Sequence, residues 1–186
     1  MSLTARSFSD SDFEFMFDAF NSAVVWLTSK GLEDQWGGEP WDDKVKEKLR
    51  NKIPIDKARG ARKWIAEVDG QPAGYLEVTP YRPDYLPVSP EEKPGKEFFL
   101  KMLVVHRKFI GRGVGEFLLD FAKNLAIEEK ADWFRLDCYR GPEGKDGLVR
   151  YYEGKGFQKV REFANAPEGD EKKEWPGQLL EMKVSE

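Results

Sequence analysis

The sequence predicts an α/β fold: one domain built on a mixed sheet. Three observations carry that expectation. The chain has 186 residues, 40% of them hydrophobic and 13% aromatic, enough for the core of one domain. The apolar period changes along the chain, from helical spacings in its first third to strand-like runs between residues 62 and 105. A glycine-rich turn at 111–115 then joins an apolar run to a second helical pattern. Charged residues make up 34%, with both signs interspersed, as on a solvated globular surface and not in a disordered chain.

Each element follows from its own signals. Leu3–Phe8 reads as a short strand, and Ser9-Asp10-Ser11-Asp12 as a helix start with Ser or Asp as N-cap. Phe13, Phe17, Phe20, Val24 and Leu27 recur at spacings of three and four, giving an amphipathic helix that ends near Lys30-Gly31. Trp41–Lys52 is a second, more polar helix, expected to stop before Pro54. Arg62–Val68 and Pro72–Thr79 are strands joined by the hairpin signal Asp69-Gly70. Five prolines between Pro80 and Gly95 make that segment a loop. Glu97–Val105 is apolar on both faces, as a central strand is. A helix of about four turns follows Gly111–Gly115, with Val114, Leu118, Phe121 and Leu125 on one stripe. Asp132–Tyr139 is a strand, Leu148–Gly154 a short helix, and Phe157–Phe163 and Leu179–Val184 the last strands. The charged segment Ala164–Pro176 between them reads as a surface loop, with a lid as the alternative.

Composition narrows the function. A net charge of −4 argues against a general nucleic-acid binder. One cysteine, Cys138, allows neither an intramolecular disulfide nor a multi-cysteine zinc cluster. One histidine, His106, has no neighbours at the spacing of a triad or a metal site, so no metal is expected. The longest apolar run, Phe98–His106, is broken by Lys101 and far too short to span a membrane. Residues 1–8 lack a basic-then-apolar signal pattern, so the cytoplasm is the expected compartment.

The most informative segment is Leu103-Val104-Val105-His106-Arg107-Lys108-Phe109-Ile110-Gly111-Arg112-Gly113-Val114-Gly115. A strand runs into a glycine turn that opens a helix. Glycines let a ligand approach the backbone, and the amides of a helix start favour an anion. Lys101, Arg107, Lys108 and Arg112 add four cations with no acidic residue among them. The segment therefore predicts phosphate binding. The spacing is G-x-G-x-G, not the G-x-G-x-x-G of dinucleotide folds, and Glu116 stands where a P-loop needs Lys and Ser or Thr.

This segment resembles the acetyl-CoA loop of the GNAT superfamily of N-acetyltransferases, Arg/Gln-x-x-Gly-x-Gly/Ala after a strand ending Leu-x-Val. Leu103-Val104-Val105 matches the strand end, and Gly113 and Gly115 match the glycines; Ile110 departs from the Arg or Gln position. A later block, Arg135–Tyr139 followed by Leu148–Phe157, resembles the family's strand and short helix ending Tyr-Glu-x-x-Gly-Phe. The resemblance implies a single acetyltransferase domain over residues 1–186, with acceptor-side helices at about 10–52 and an acetyl-CoA-binding core at about 97–157. It implies a mixed, mostly antiparallel sheet of about seven strands, flanked by helices, with a splayed central parallel pair. It also implies acetyl-CoA as co-substrate, an amine acceptor and a chemistry that needs no metal. With the charge and run lengths above, no nucleic-acid or membrane partner is expected, and the acceptor is expected to be a small molecule, with a protein N-terminus or lysine as the alternative. Homodimers are common in that family.

By the same resemblance, the pantetheine arm lies between strands Phe99–Val105 and Phe134–Cys138 and pairs with the backbone near Leu103, Val104 and Val105. The pyrophosphate sits on the amides of 110–115, that is Ile110, Gly111, Arg112, Gly113, Val114 and Gly115, and Arg107, Lys108 or Arg112 reaches the remaining phosphate. Direct attack by a neutral amine needs a base, an oxyanion donor and a proton for the departing thiolate. Tyr152 occupies the family's tyrosine position for the last role; a tyrosine that only packs the helix is the plainer alternative. Asp137 is the first candidate for the base and Glu97 the second, with a water chain as a third option.

The segment Gly31–Asp43 carries five carboxylates and no lysine or arginine. Glu33, Asp34 and Trp36 are therefore candidates to receive a small cationic amine. The alternative is a solvated turn whose tryptophans pin it to the core. A rival for the whole chain is a non-catalytic acyl-CoA sensor or assembly module, favoured by the apolar Ile110 and Phe99 and opposed by Tyr152.

Overall fold

The structure, a computed structural model, describes residues 1–165 and 175–185. The strands are β1 (Leu3–Ser7), β2 (Arg62–Val68), β3 (Gln71–Thr79), β4 (Glu97–Val105), β5 (Trp133–Tyr139), β6 (Gln158–Asn165) and β7 (Trp175–Lys183). The helices are α1 (Phe13–Ser29), α2 (Asp43–Ala58), α3 (Val114–Glu128) and α4 (Gly147–Gly154). The seven strands form one sheet in the order β1-β2-β3-β4-β5-β7-β6. β1/β2, β2/β3, β5/β7 and β6/β7 are antiparallel and β4/β5 is parallel. That parallel ladder covers only Glu97–Leu100 against Trp133–Leu136, so both strands continue past its end. The expected mixed, mostly antiparallel sheet with a splayed parallel pair is the observed one. No helix among the described residues is long and apolar enough to cross a membrane.

The chain folds as two compact units. The first comprises Met1–Pro80 and Lys101–Asn124. A 3-10 turn at Asp10–Asp12 precedes α1. Asp12 accepts from Ser9 N and Ser9 Oγ and holds Arg6 through two 2.7 Å bonds. The Arg6 guanidinium is the main cause that lowers the Asp12 pKa to about 2. α1 buries Phe13, Met16, Phe20, Ala23, Val24 and Leu27. Phe13, Met16 and Phe20 pack on Ile65, Tyr75 and Val104. Each large apolar side chain buried this way contributes about 1.5–3 kcal/mol. Asp69 and Gly70 have φ of 50° and 78°, the left-handed pair that a tight hairpin requires. α3 packs on β3 at Gly74: a Cβ there would lie 2.9 Å from both Val114 Cγ1 and Leu118 Cδ1.

The second helix differs from the expected Trp41–Lys52 at both ends. α2 begins at Asp43, with Asp42 as the N-cap accepting from Val45 N, and it does not stop at Pro54 but runs to Ala58. The proline removes one backbone donor. The last turn holds because Ile53 packs against the core and buried Asp56 accepts from Lys101 Nζ at 2.8 Å.

The second unit comprises Tyr81–Leu100 and Leu125–Glu186. β5 is its central strand, and six of its seven residues are buried. Segment 80–95 is irregular, as its prolines predict, but it is tied down. Leu86 packs with Phe99 and Leu179, and Arg82 binds Glu92 and Glu97. Arg135, 1% exposed, pairs with Glu97 at 3.2 Å and Glu181 at 2.9 Å. β7 starts four residues before the expected Leu179, because Trp175–Gln178 pair with β6. Gly177 makes that possible, since a Cβ there would lie 2.3 Å from the Phe163 ring. Ala164 and Asn165 at one end of the expected loop, and Trp175 and Pro176 at the other, therefore belong to strands. The remainder of the expected loop, residues 166–174, lies outside the described residues.

Candidate active site

The glycine turn is built from β4 onward. Val104 is buried, whereas Leu103 and Val105 are half-buried. His106 ends the strand. Its N–H donates to Ala73 O at 2.9 Å, and its Nδ1 accepts from Lys108 N at 3.1 Å. The ring proton is thereby assigned to Nε2, which donates to Asp18 Oδ2 at 3.0 Å. The single histidine thus fixes how the chain leaves the sheet, and both of its nitrogens are used. A 3-10 turn at Arg107–Phe109 follows.

Gly111 and Gly113 have φ of 81° and 74°. A Cβ at either would meet no atom within 4 Å, so the backbone conformation, not crowding, requires glycine. Phe117 N–H to Gly113 O is the first hydrogen bond of α3, so the amides of Val114 and Gly115 have no acceptor within the helix. Free amides and the positive end of a helix dipole are of the kind that favours an anion, and Ile110 is exposed beside them.

The nearby cations are held in different ways. The Arg107 guanidinium stacks 4.0 Å over the Trp26 ring, and its main-chain N–H donates to Ser22 Oγ. Burial lowers its pKa from the usual arginine value. Arg112 lies 5.5 Å from the Phe109 ring centre, and Lys108 is exposed. Lys101 is not part of the loop's positive charge. Its Nζ is 2.8 Å from Asp56 and 2.9 Å from Glu77, because it lies five residues up the strand and faces α2.

On β5 and α4 the candidate acid and base sit in contrasting surroundings. Tyr152 is buried and Tyr151 is 40% exposed, which separates two adjacent tyrosines that the sequence leaves ambiguous. The Tyr152 ring packs edge-on against Tyr151 and Phe157. Burial, then Cys138, Tyr151 and Asp137, push its hydroxyl pKa above the normal phenol value, so it keeps its proton at neutral pH. Asp137 is half-buried, and burial raises its pKa to about 6. The Tyr85 hydroxyl, 3.1 and 3.2 Å from its two oxygens, opposes that rise by stabilising the carboxylate. Cys138 is buried and its thiol is pushed up to about 12, so it is no thiolate nucleophile. Glu97 accepts from Arg82 through both oxygens and pairs with Arg135, an arrangement that ties it to the surrounding arginines.

In the acidic segment, Glu33 and Asp34 are exposed, and Asp42 serves as a helix cap. Trp36 packs 5.2 Å from Phe20 and 6.2 Å from Trp41, whose Nε1 donates to Trp36 O. Trp36 is half-buried and packs against the core cluster of the first unit. Three features carried no signal in the sequence: Tyr85 on Asp137, Trp26 under Arg107, and Asp18 on His106. Each joins residues far apart in the chain. Among the described residues, no group of three or more His, Cys, Asp and Glu side chains is placed to hold a metal ion.

With this geometry in place, the sequence matches the acetyltransferase (GNAT) family over residues 22–157, and the chain belongs to that family. It is an acetyltransferase by class. Solved structures share its fold at low identity. An N-acetyltransferase from Staphylococcus aureus Mu50 is 11% identical with a TM-score of 0.69, covering 100% of both chains. The ribosomal-protein-alanine N-acetyltransferase of Brucella melitensis is 18% identical with a TM-score of 0.67, covering 97% of this chain and 99% of its own. A GNAT superfamily phosphinothricin acetyltransferase from Sinorhizobium meliloti, solved in complex with acetyl-CoA, is 10% identical with a TM-score of 0.67, covering 100% of this chain and 90% of its own. No curated protein sequence matches the chain.

Proposed function

We propose that this chain is one acetyltransferase domain that moves an acetyl group from acetyl-CoA to the nitrogen of a small primary amine. The observation that carries the reading is the end of β4, where two left-handed glycines present the uncapped amides of α3. That arrangement suits a pyrophosphate. Val114 and Gly115 amides would hold it, Arg107, Lys108 or Arg112 would meet the remaining phosphate, and the main chain of Leu103–Val105 would pair with the pantetheine amides. Acetyl-CoA supplies an activated acyl thioester.

The chain's own residues then move two protons. Asp137 takes one from the acceptor ammonium, leaving the amine lone pair free to attack. Its raised pKa suits a base near neutrality, whereas Glu97 is committed to Arg82 and Arg135, so Asp137 is preferred. Tyr152 donates a proton to the sulfur as the C–S bond breaks, and the second proton shed by the attacking nitrogen restores the Tyr152 phenol, giving an amide and free CoA. Glu33 and Asp34 supply exposed negative charge for an approaching ammonium ion.

The test is free-thiol release from acetyl-CoA with a panel of polyamines, amino acids, amino-sugars and short peptides. Turnover with one class is expected, and Tyr152→Phe should lower kcat by roughly 100-fold with acetyl-CoA affinity unchanged. Tight acetyl-CoA binding without turnover on any amine would favour the sensor reading. No acetyl-CoA binding at all would sink both.

A further inference from the structure

A second feature lies on the α1–α2 side of β4. It is a cavity of about 70 Å³, open to solvent and entirely within the first unit. Its apolar wall comes from Met16, Phe20, Leu49, Ile53 and Met102. Its floor is ionic. Asp56 and Glu77 are 4% and 5% exposed, and Lys101 bridges them. The Tyr75 hydroxyl donates to Glu77 Oε2 at 2.9 Å, and Lys101 Nζ donates to Glu77 Oε1.

Those bonds leave Lys63 short of acceptors. Its Nζ lies 3.2 Å from Glu77 Oε1 as an ion pair, and its side chain is only 8% exposed. It makes no hydrogen bond among the described residues. A buried ammonium that shares its one carboxylate oxygen with a second lysine forgoes part of the hydration it had in the unfolded chain. Lys52 stands at the cavity rim, exposed and without a partner among the described residues. The cavity therefore holds three ammonium groups, Lys52, Lys63 and Lys101, against two carboxylates, Asp56 and Glu77. One positive charge is in surplus, and donors outnumber free acceptors.

We propose that this cavity binds the carboxylate of the amine acceptor, so that the acceptor is a small apolar amino acid or a related amino carboxylate. A carboxylate supplies acceptors for Lys63 and Lys52 and cancels the surplus charge, and charge-assisted bonds of this kind are the strong ones. It fits a space equal to roughly two liquid waters. The methionine, phenylalanine, leucine and isoleucine wall suits an aliphatic side chain. Lys101 and Met102 line the cavity and are followed directly by Leu103, where the main chain proposed for pantetheine begins. The inference rests on the acetyltransferase reading and adds an anion to its amine.

The experiment compares L-leucine with L-leucinamide, which differ in that carboxylate. The wild-type kcat/KM ratio should favour leucine by about tenfold or more. The ratio should fall toward one in Lys63→Met, and also in the exposed variant Lys52→Ala, which leaves the buried cluster untouched. Preference for leucinamide, or an unchanged ratio in both variants, overturns the proposal while leaving the acetyltransferase reading intact. Where neither amine turns over, N-acetyl-L-leucine and its amide are titrated against the ¹³C-methyl signals of Met16 and Met102. Selective shifts with the carboxylate support the cavity assignment, and their absence overturns it. Acetyl-CoA binding, measured separately, tests the underlying reading.

Discussion

Asp137 shows how one residue acquires a task from its surroundings. Its carboxyl is raised from 3.8 to about 6, mainly by burial. Between about pH 4 and 6 the folded chain holds this proton more tightly than the unfolded chain does. Stability from this group is therefore greatest at low pH and is lost as pH rises toward 6. Asp137→Asn should raise Tm relative to the parent at pH 8, and the difference should shrink by pH 4; a gap independent of pH would show that the carboxyl is not destabilised. If Asp137 is the base, kcat/KM rises with pH through about 6. Tyr85→Phe removes a hydrogen bond that favours the ionised form, so the acidic limb should move to higher pH. A pH–rate profile with an unmoved limb would exclude Asp137 as the base. The candidacy of Asp137 is legible in the sequence, because a charge among strand residues draws attention. Its partner Tyr85 is not, since 52 residues separate them and the segment that carries Tyr85 has no periodicity.

At the scale of elements, α2 records a conflict between local and tertiary preference. Pro54 lies within the helix, where proline costs about 3 kcal/mol relative to alanine. Packing of Ile53 and the buried Asp56 pair override it. Pro54→Ala should therefore stabilise the chain by about 1–3 kcal/mol in urea titrations, less than the full propensity difference because the unfolded chain also gains freedom. The opposite balance holds on β5. Arg135 is enclosed among Glu92, Glu97 and Glu181. Arg135→Met should destabilise by about 3–5 kcal/mol, because it leaves buried carboxylates short of a partner. A change under 1 kcal/mol would mean that Arg82, Arg161 and Lys93 satisfy them alone. Strands β2 to β5 and helix α3 were readable because their apolar periods span whole elements. The start of β7 was not, because the pairing of Trp175–Gln178 with β6 depends on Gly177 lying opposite the Phe163 ring, a fact of register and not of propensity.

For the whole molecule, ligand binding should appear as stability. Acetyl-CoA at a hundred times its Kd stabilises the folded chain by about 2.7 kcal/mol. For a chain of this length that raises Tm by about 5–10 °C in a thermal melt. Gly113→Ala, which forces a side chain into the left-handed region, should reduce that shift. No shift with acetyl-CoA at saturating concentration would contradict the proposed function. By itself, the sequence determined the α/β class, the element order and the glycine turn between β4 and α3. Those follow from local rules: apolar period, turn chemistry, and the need for residues without a Cβ at positive φ. Tertiary structure alone decided which charges are free and which are spent. It turned Lys101 away from the loop onto Asp56 and Glu77, seated Arg107 on Trp26, buried Tyr152 in place of Tyr151, and left Lys63 to share one Glu77 oxygen with Lys101. The physical reason is that the behaviour of a charge or a phenol depends on its burial and its partners in space, and these come from segments that no local spacing connects.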